Sequence, residues 1–110
     1  AHLSNEQFYN QAIQHLSPRG VLLVNIGDDQ GLAFYDQQSR LLHQAALSAG
    51  LGGVWTLADA TTLEQRLAGN IVLAAGPVLP TDDAEVAAVR SQLLAAGPYP
   101  ASVIAPGVVN

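Results

Sequence analysis

Apolar positions recur along this chain with two periods, and the switches between them mark its elements. Phe8, Ala12, Ile13 and Leu16 return at helical spacing behind Ser4 and Gln7, whose separation is that of a capping box. A helix is therefore predicted over about 5–16. Ser17-Pro18-Arg19-Gly20 ends it, because Pro18 cannot continue the hydrogen-bond ladder and Gly20 permits the turn. Val21-Leu22-Leu23-Val24 shows no polar alternation and reads as a central parallel strand, apolar on both faces. Gly27-Asp28-Asp29-Gln30-Gly31 is the loop at that strand's carboxyl end. A second helix is predicted from about Leu32 to Ala49, with Phe34, Leu41, Leu42, Ala45 and Ala46 on one face and Gly50 as its stop.

The second half is shorter in rhythm. Val54 to Leu57 and Ile71 to Ala75 read as strands, with a turn of helix around Thr62 to Leu67 between them. Pro77 and Pro80 punctuate the exit from the second of these. Asp82 and Glu85 then cap a helix carrying Val86, Val89, Leu93 and Leu94, closed by Gly97. Residues 98–110 form an irregular tail in which Val103-Ile104 makes a short edge strand. Strands alternating with helices predict an α/β fold, a mostly parallel sheet with helices packed on it. The short link between the Val54 and Ile71 strands allows one antiparallel pair at the sheet edge. No repeat or linker divides residues 1–110, which are expected to form a single domain or half-domain.

Composition narrows the function. Hydrophobic residues make up 49% and charged residues 12%, a chain with much surface to hide. All four basic residues are Arg (Arg19, Arg40, Arg66, Arg90), scattered within a net charge of −5. No basic stripe exists to neutralise a phosphate backbone, so nucleic-acid binding is not expected. No apolar run approaches the roughly 18 residues of a membrane span, and no signal peptide is visible. A cytoplasmic location is expected. The absence of Met implies an amino terminus made by cleavage, or a domain cut from a longer gene. There are no cysteines, and His2, His15 and His43 are too dispersed to predict a metal site.

In open α/β sheets, ligands bind outside the carboxyl ends of the strands. Asn25, Gly27, Asp28, Asp29 and Gln30 mark that edge after the first strand. Adjacent acids beside a flexible Gly suit an amine, held by charge-assisted hydrogen bonds. They equally suit solvated loop acids that cap the helix at Leu32. His15 and His43 fall on helices and His2 in the amino-terminal loop, none with a partner at a spacing that makes a general base. The string Gly50-Leu51-Gly52-Gly53 follows a helix and precedes a strand, the reverse of the nucleotide fingerprint, and is a helix stop. Trp55 reads as sheet packing. No Gly-x-Ser-x-Gly elbow occurs, no Lys is present to support a receiver-like module, and no residue is assigned a catalytic role.

The segment from Ala1 to Asp29, AHLSNEQFYNQAIQHLSPRGVLLVNIGDD, resembles the second half of the spermidine synthase-like family, built on the class I methyltransferase fold. Ala1, Leu3, Glu6, Phe8, Tyr9, Leu16, Pro18, Gly20 and Val24 fall on the family's pattern of an Ala-x-Leu loop end, a Glu-x-Phe helix, a Leu-x-Pro-x-Gly turn and a strand. Ala68 to Gly76, AGNIVLAAG, is similar to its Gly-Asn-x-Val-Leu edge strand. The resemblance runs in order over about residues 1–100 and is nearest the family's divergent, actinobacterial-looking branch. It implies a partial Rossmann-like methyltransferase fold that begins just after the catalytic strand. The Gly-rich donor loop, the ribose-gripping acid and the catalytic Asp would all lie upstream.

By the same resemblance, His2 and Leu3 end the loop that borders the acceptor pocket, and Asn25, Asp28 and Asp29 stand at the next strand's tip facing it. Ser4 occupies a position that is aromatic in many polyamine enzymes. The intact parent would move an aminopropyl group from decarboxylated S-adenosylmethionine to a small amine, or use S-adenosylmethionine itself. This chain would hold no cofactor and be inactive alone. Its expected partner is the amino-terminal half of the same fold. The rival expectation is a non-catalytic α/β domain that homodimerises through an exposed sheet edge.

Overall fold

The computed structural model describes residues 4–96 and 101–106. Helix α1 (Asn5–Gln14) begins at the expected box: Gln7 N–H donates to Ser4 Oγ at 3.1 Å, and Ser4 N–H to Gln7 Oε1 at 3.0 Å. Strand β1 (Leu22–Asp28), helix α2 (Ala33–Ser48), strand β2 (Trp55–Asp59), helix α3 (Ala60–Gln65), strand β3 (Gly69–Ala75), helix α4 (Asp83–Ala96) and strand β4 (Ala101–Ile104) follow. Asp82 caps α4 by accepting from Glu85 N–H at 3.2 Å. Part of the expected irregular tail is thus ordered strand, and β4 takes an edge as the Val103-Ile104 pattern predicts.

The mostly parallel sheet expected from the sequence is not what forms. The order is β1-β3-β2-β4, and all three pairings are antiparallel. The crossover logic of β1-α2-β2 nevertheless holds. Both strands oppose β3, so they run in the same direction, one strand apart. The short α3 link cannot make a parallel crossover, so β3 must return antiparallel to β2. It does so on the side facing β1 and fills the space between the two co-directional strands. The Gly-Asn strand is therefore internal rather than an edge.

The central position expected for β1 is corrected in the same way. Among the described strands its only neighbour is β3, and its burial alternates, with Ile26 buried and Leu23 63% exposed. That alternation is the mark of a strand covered on one face.

Two cores occupy the two faces. Ile71, Leu73 and Ala75 of β3 pack with Ile26 beneath Tyr9 and Ile13 of α1 and Leu42, Ala45 and Ala46 of α2. On the other face Ala74, Trp55 and Val103 pack with Val86 of α4. Trp55 is fully buried there, the sheet-packing role its sequence context implies. Arg90 Nε on α4 donates to the Val103 carbonyl at 2.9 Å, tying the helix to β4. α4 lies over the β2–β4 side and leaves Leu23 uncovered near the β1 edge. Among the described residues, no helix is long and apolar enough to cross a membrane.

Candidate functional site

The carboxyl ends of β1 and β2 point the same way, and the segment 28–32 that leaves β1 there is tightly specified. Leu32 is fully buried in a left-handed conformation (φ 55°), preceded by Gly31 at φ 94°. At the N-cap position of α2, Leu32 offers no side-chain acceptor. Asp28 supplies one from across the loop. Its Oδ2 accepts from Tyr35 N–H at 2.7 Å and its Oδ1 from Asp29 N–H at 2.8 Å.

A second tether comes from the end of α3. Gly31 N–H donates to the Arg66 carbonyl at 2.8 Å, and Arg66 Nε donates to the Gly31 carbonyl at 3.1 Å. Arg66 Nη2 also pairs with Asp36 Oδ2 at 2.5 Å, both side chains about half exposed (45% and 53%), so the charge pair itself adds little stability. Its contribution is to fix the loop's path. Arg66, like Leu32, is left-handed (φ 52°), so two unfavourable turns are locked against each other.

Of the residues singled out from the sequence, Asp28 and Asp29 share this loop, Asp28 committed to capping and Asp29 exposed. Asn25 is exposed on β1, but strand alternation turns it to the face opposite Asp28. His2 and Leu3 lie outside the described residues. Asn25 instead shares its face with Gly27 and Asn70. A Cβ on Gly27 would come within 3.3 Å of Asn70 Oδ1.

Arg66, Asp36, Tyr35 and Asn70 are not among the residues the sequence marks out. The Arg66–Asp36 pair spans 30 positions and leaves no local signature. His15 Nδ1 bonds the Gln11 carbonyl at 2.7 Å at the C-cap of α1, just past its last helical residue, and His43 on α2 stands against Gly53; both are exposed. Among the described residues, no group of three His, Cys, Asp or Glu side chains could hold a metal ion.

A groove of about 400 Å³ lies at the opposite end of the sheet, lined by Gly50 to Gly52, Gly76 to Thr81 and Glu85. The glycine string therefore sits away from the carboxyl ends of β1 and β2. Asp28→Ala is expected to cost about 1.5 kcal/mol through loss of the α2 cap, Asp28→Asn much less, and Asp29→Ala under about 0.5 kcal/mol. Urea unfolding of the three variants checks this. An Asp28→Ala as stable as Asp29→Ala would remove the capping role.

No family model matches this chain, and no curated protein matches it. Among solved structures, it is similar to a probable spermidine synthase from Corynebacterium glutamicum, with a TM-score of 0.63 and 24% sequence identity. The match covers 97% of this chain and 38% of that protein. The chain thus has the fold of part of a spermidine synthase-like protein, and spans well under half of that relative's length.

Proposed function

We propose that this chain is the acceptor-side part of a spermidine synthase-like transferase, active in polyamine biosynthesis in the cytoplasm. The observation that carries the reading is the overlay of nearly the whole chain on that fold. The acidic loop's place at the carboxyl ends of two co-directional strands agrees with it. In this reading the amine's lone pair attacks the sulfonium-activated carbon of decarboxylated S-adenosylmethionine, and the carbon–sulfur bond breaks in line. The base that takes the amine's proton belongs to the amino-terminal half of the fold.

This chain's share is positional. The exposed Asp29 carboxylate draws the ammonium form of the acceptor toward the strand ends, and Asp28 with Arg66 fixes the loop that presents it. The residues here do not fit the donor. The glycine string Gly50 to Gly53 follows a helix and lies at the wrong end of the sheet. The donor therefore belongs to the other half, and no transfer step runs on these residues alone.

Calorimetric titration of this chain with decarboxylated S-adenosylmethionine should give no saturable heat, and robust binding would sink the assignment. In a polypeptide joining this chain to the donor-binding half, aminopropyl transfer should be measurable. Asp29→Asn should there raise KM for the amine about fivefold with little change in kcat. Absence of transfer refutes the activity; transfer with an unchanged KM refutes the role of Asp29.

A further inference from the structure

Arg66 sets a positive charge against the loop whose Asp29 draws an ammonium ion, so by charge it works against acceptor binding. Its contacts give it another task. The chain enters α2 through two left-handed residues, Gly31 and Leu32. Arg66 grips this entry on both sides: Nε donates to the Gly31 carbonyl at 3.1 Å, and Nη2 to Asp36 Oδ2 at 2.5 Å. The Arg66 backbone joins in, since its carbonyl accepts from Gly31 N–H at 2.8 Å. A left-handed Leu is strained, and Leu32, wholly buried, is held between these fixed points.

The same turn carries Asp29. Its N–H donates to Asp28 Oδ1 at 2.8 Å, and its carbonyl accepts from Leu32 N–H at 3.0 Å. The Asp29 carboxylate engages no described residue, so its place is set through the backbone. Any loosening at Gly31 or Leu32 therefore reaches it directly. We propose that Arg66 is a positioning residue for the acceptor: without touching the amine, it holds the 29–32 turn so that the Asp29 carboxylate is ordered before the amine arrives. The proposal rests on the transferase reading. Ordering the turn in advance removes an entropy cost from binding, which is felt in KM and not in kcat.

Arg66 is poorly suited to a purely structural role. It is left-handed at the C-cap of α3, where Gly is the favoured residue, and its ion pair is about half exposed. Arg66→Gly keeps the backbone bonds of this position, its carbonyl to Gly31 N–H and its N–H to the Thr62 carbonyl. Only the side-chain grip is lost. One variant thus separates stability from positioning.

In the isolated chain, Arg66→Gly should unfold at a urea midpoint no lower than the wild type's, while the Gly31 amide exchanges its hydrogen about tenfold faster. In the polypeptide joining this chain to the donor-binding half, it should raise KM for the amine about threefold with kcat unchanged. Electrostatics predicts the opposite sign, because deleting Arg66 also frees the Asp36 carboxylate and makes the loop more attractive to a cation. If Arg66 acts through Asp29, combining it with Asp29→Asn should leave KM raised about fivefold, as for Asp29→Asn alone, rather than about fifteenfold. A KM that falls or stays level overturns the proposal, as do additive effects of the two substitutions or an unchanged Gly31 exchange. So does a markedly lowered urea midpoint, which would make the side chain a structural tie. A wild-type joined polypeptide that transfers no aminopropyl group refutes the transferase reading itself, and the acceptor role of Arg66 with it.

Discussion

Gly76→Ala is expected to destabilise this chain by about 3 kcal/mol, the upper end for an overpacked site. Gly76 is buried where β3 ends and the chain turns toward α4. A Cβ there would drive into the Gly20 carbonyl oxygen and stand 2.7 Å from Val21 Cα. Both obstacles are backbone, so no rotamer change relieves them. Only a shift of Gly20 and Val21 would, and these residues lead directly into the Leu22–Ala75 pair that opens the β1–β3 ladder. A small domain's whole stability is about 5–15 kcal/mol, so the variant should show a much lowered urea midpoint.

Two other glycines calibrate the result. At Gly53 a Cβ would meet His43 Cε1 at 2.8 Å, but that atom ends an exposed side chain able to rotate away. Gly53→Ala should therefore cost under about 1 kcal/mol. At Gly50 nothing lies within 4 Å, and the only penalty is its left-handed φ of 77°. That is worth about 1 kcal/mol. If Gly76→Ala matches these controls, the strands do not approach as closely as described.

The same meeting of β1 and β3 shows why the sheet is only half legible in the sequence. Signals whose physics is local can be read from it directly. The Ser4–Gln7 box, the Asp82–Glu85 cap and the apolar run of β4 each depend on residues a few positions apart. Strand direction is of another kind. The apolar run at Val21 to Val24 looks the same whether both faces are covered or one awaits a partner. The short α3 link announces an antiparallel return but not the side of β2 on which β3 will land. At the candidate site, Asp28 and Asp29 are visible as a loop after a strand, while Arg66 is invisible because its partners are Gly31 and Asp36, far away in the chain. The separation of Asn25 from Asp28 is legible after all, since the two stand an odd number of positions apart on one strand and alternation sends them to opposite faces.

Tyr9→Phe is expected to cost about 2 kcal/mol, while Tyr9→Phe combined with Gln38→Leu should be at least as stable as the parent. Tyr9 Oη donates to Gln38 Oε1 at 2.5 Å between α1 and α2, and Gln38 is only 2% exposed. Gln38 Nε2 is buried with no partner among the described residues. Turning the amide over does not help, because Nε2 could then donate to Tyr9 Oη but the carbonyl oxygen would be orphaned in its place. The phenol is thus the amide's one observed partner, and its removal leaves a buried Gln wholly unsatisfied. Gln38→Leu alone should be nearly neutral, since it orphans one hydroxyl while deleting one orphaned donor.

Chemical unfolding of the four proteins gives the coupling directly, and a cycle that sums to zero would dismiss the pair. Alkaline pH provides an independent reading. Burial pushes the Tyr9 phenol above its ordinary value of 10.0. The folded state therefore holds this proton more tightly than the unfolded state. That stabilisation is complete below the unfolded pKa and is lost as pH rises through the folded one, so stability should fall above about pH 10. Tyr9→Phe should flatten that part of the fall while leaving the behaviour near neutrality governed by the lost hydrogen bond. An alkaline slope identical in both proteins would mean that the phenol ionises as freely in the fold as outside it.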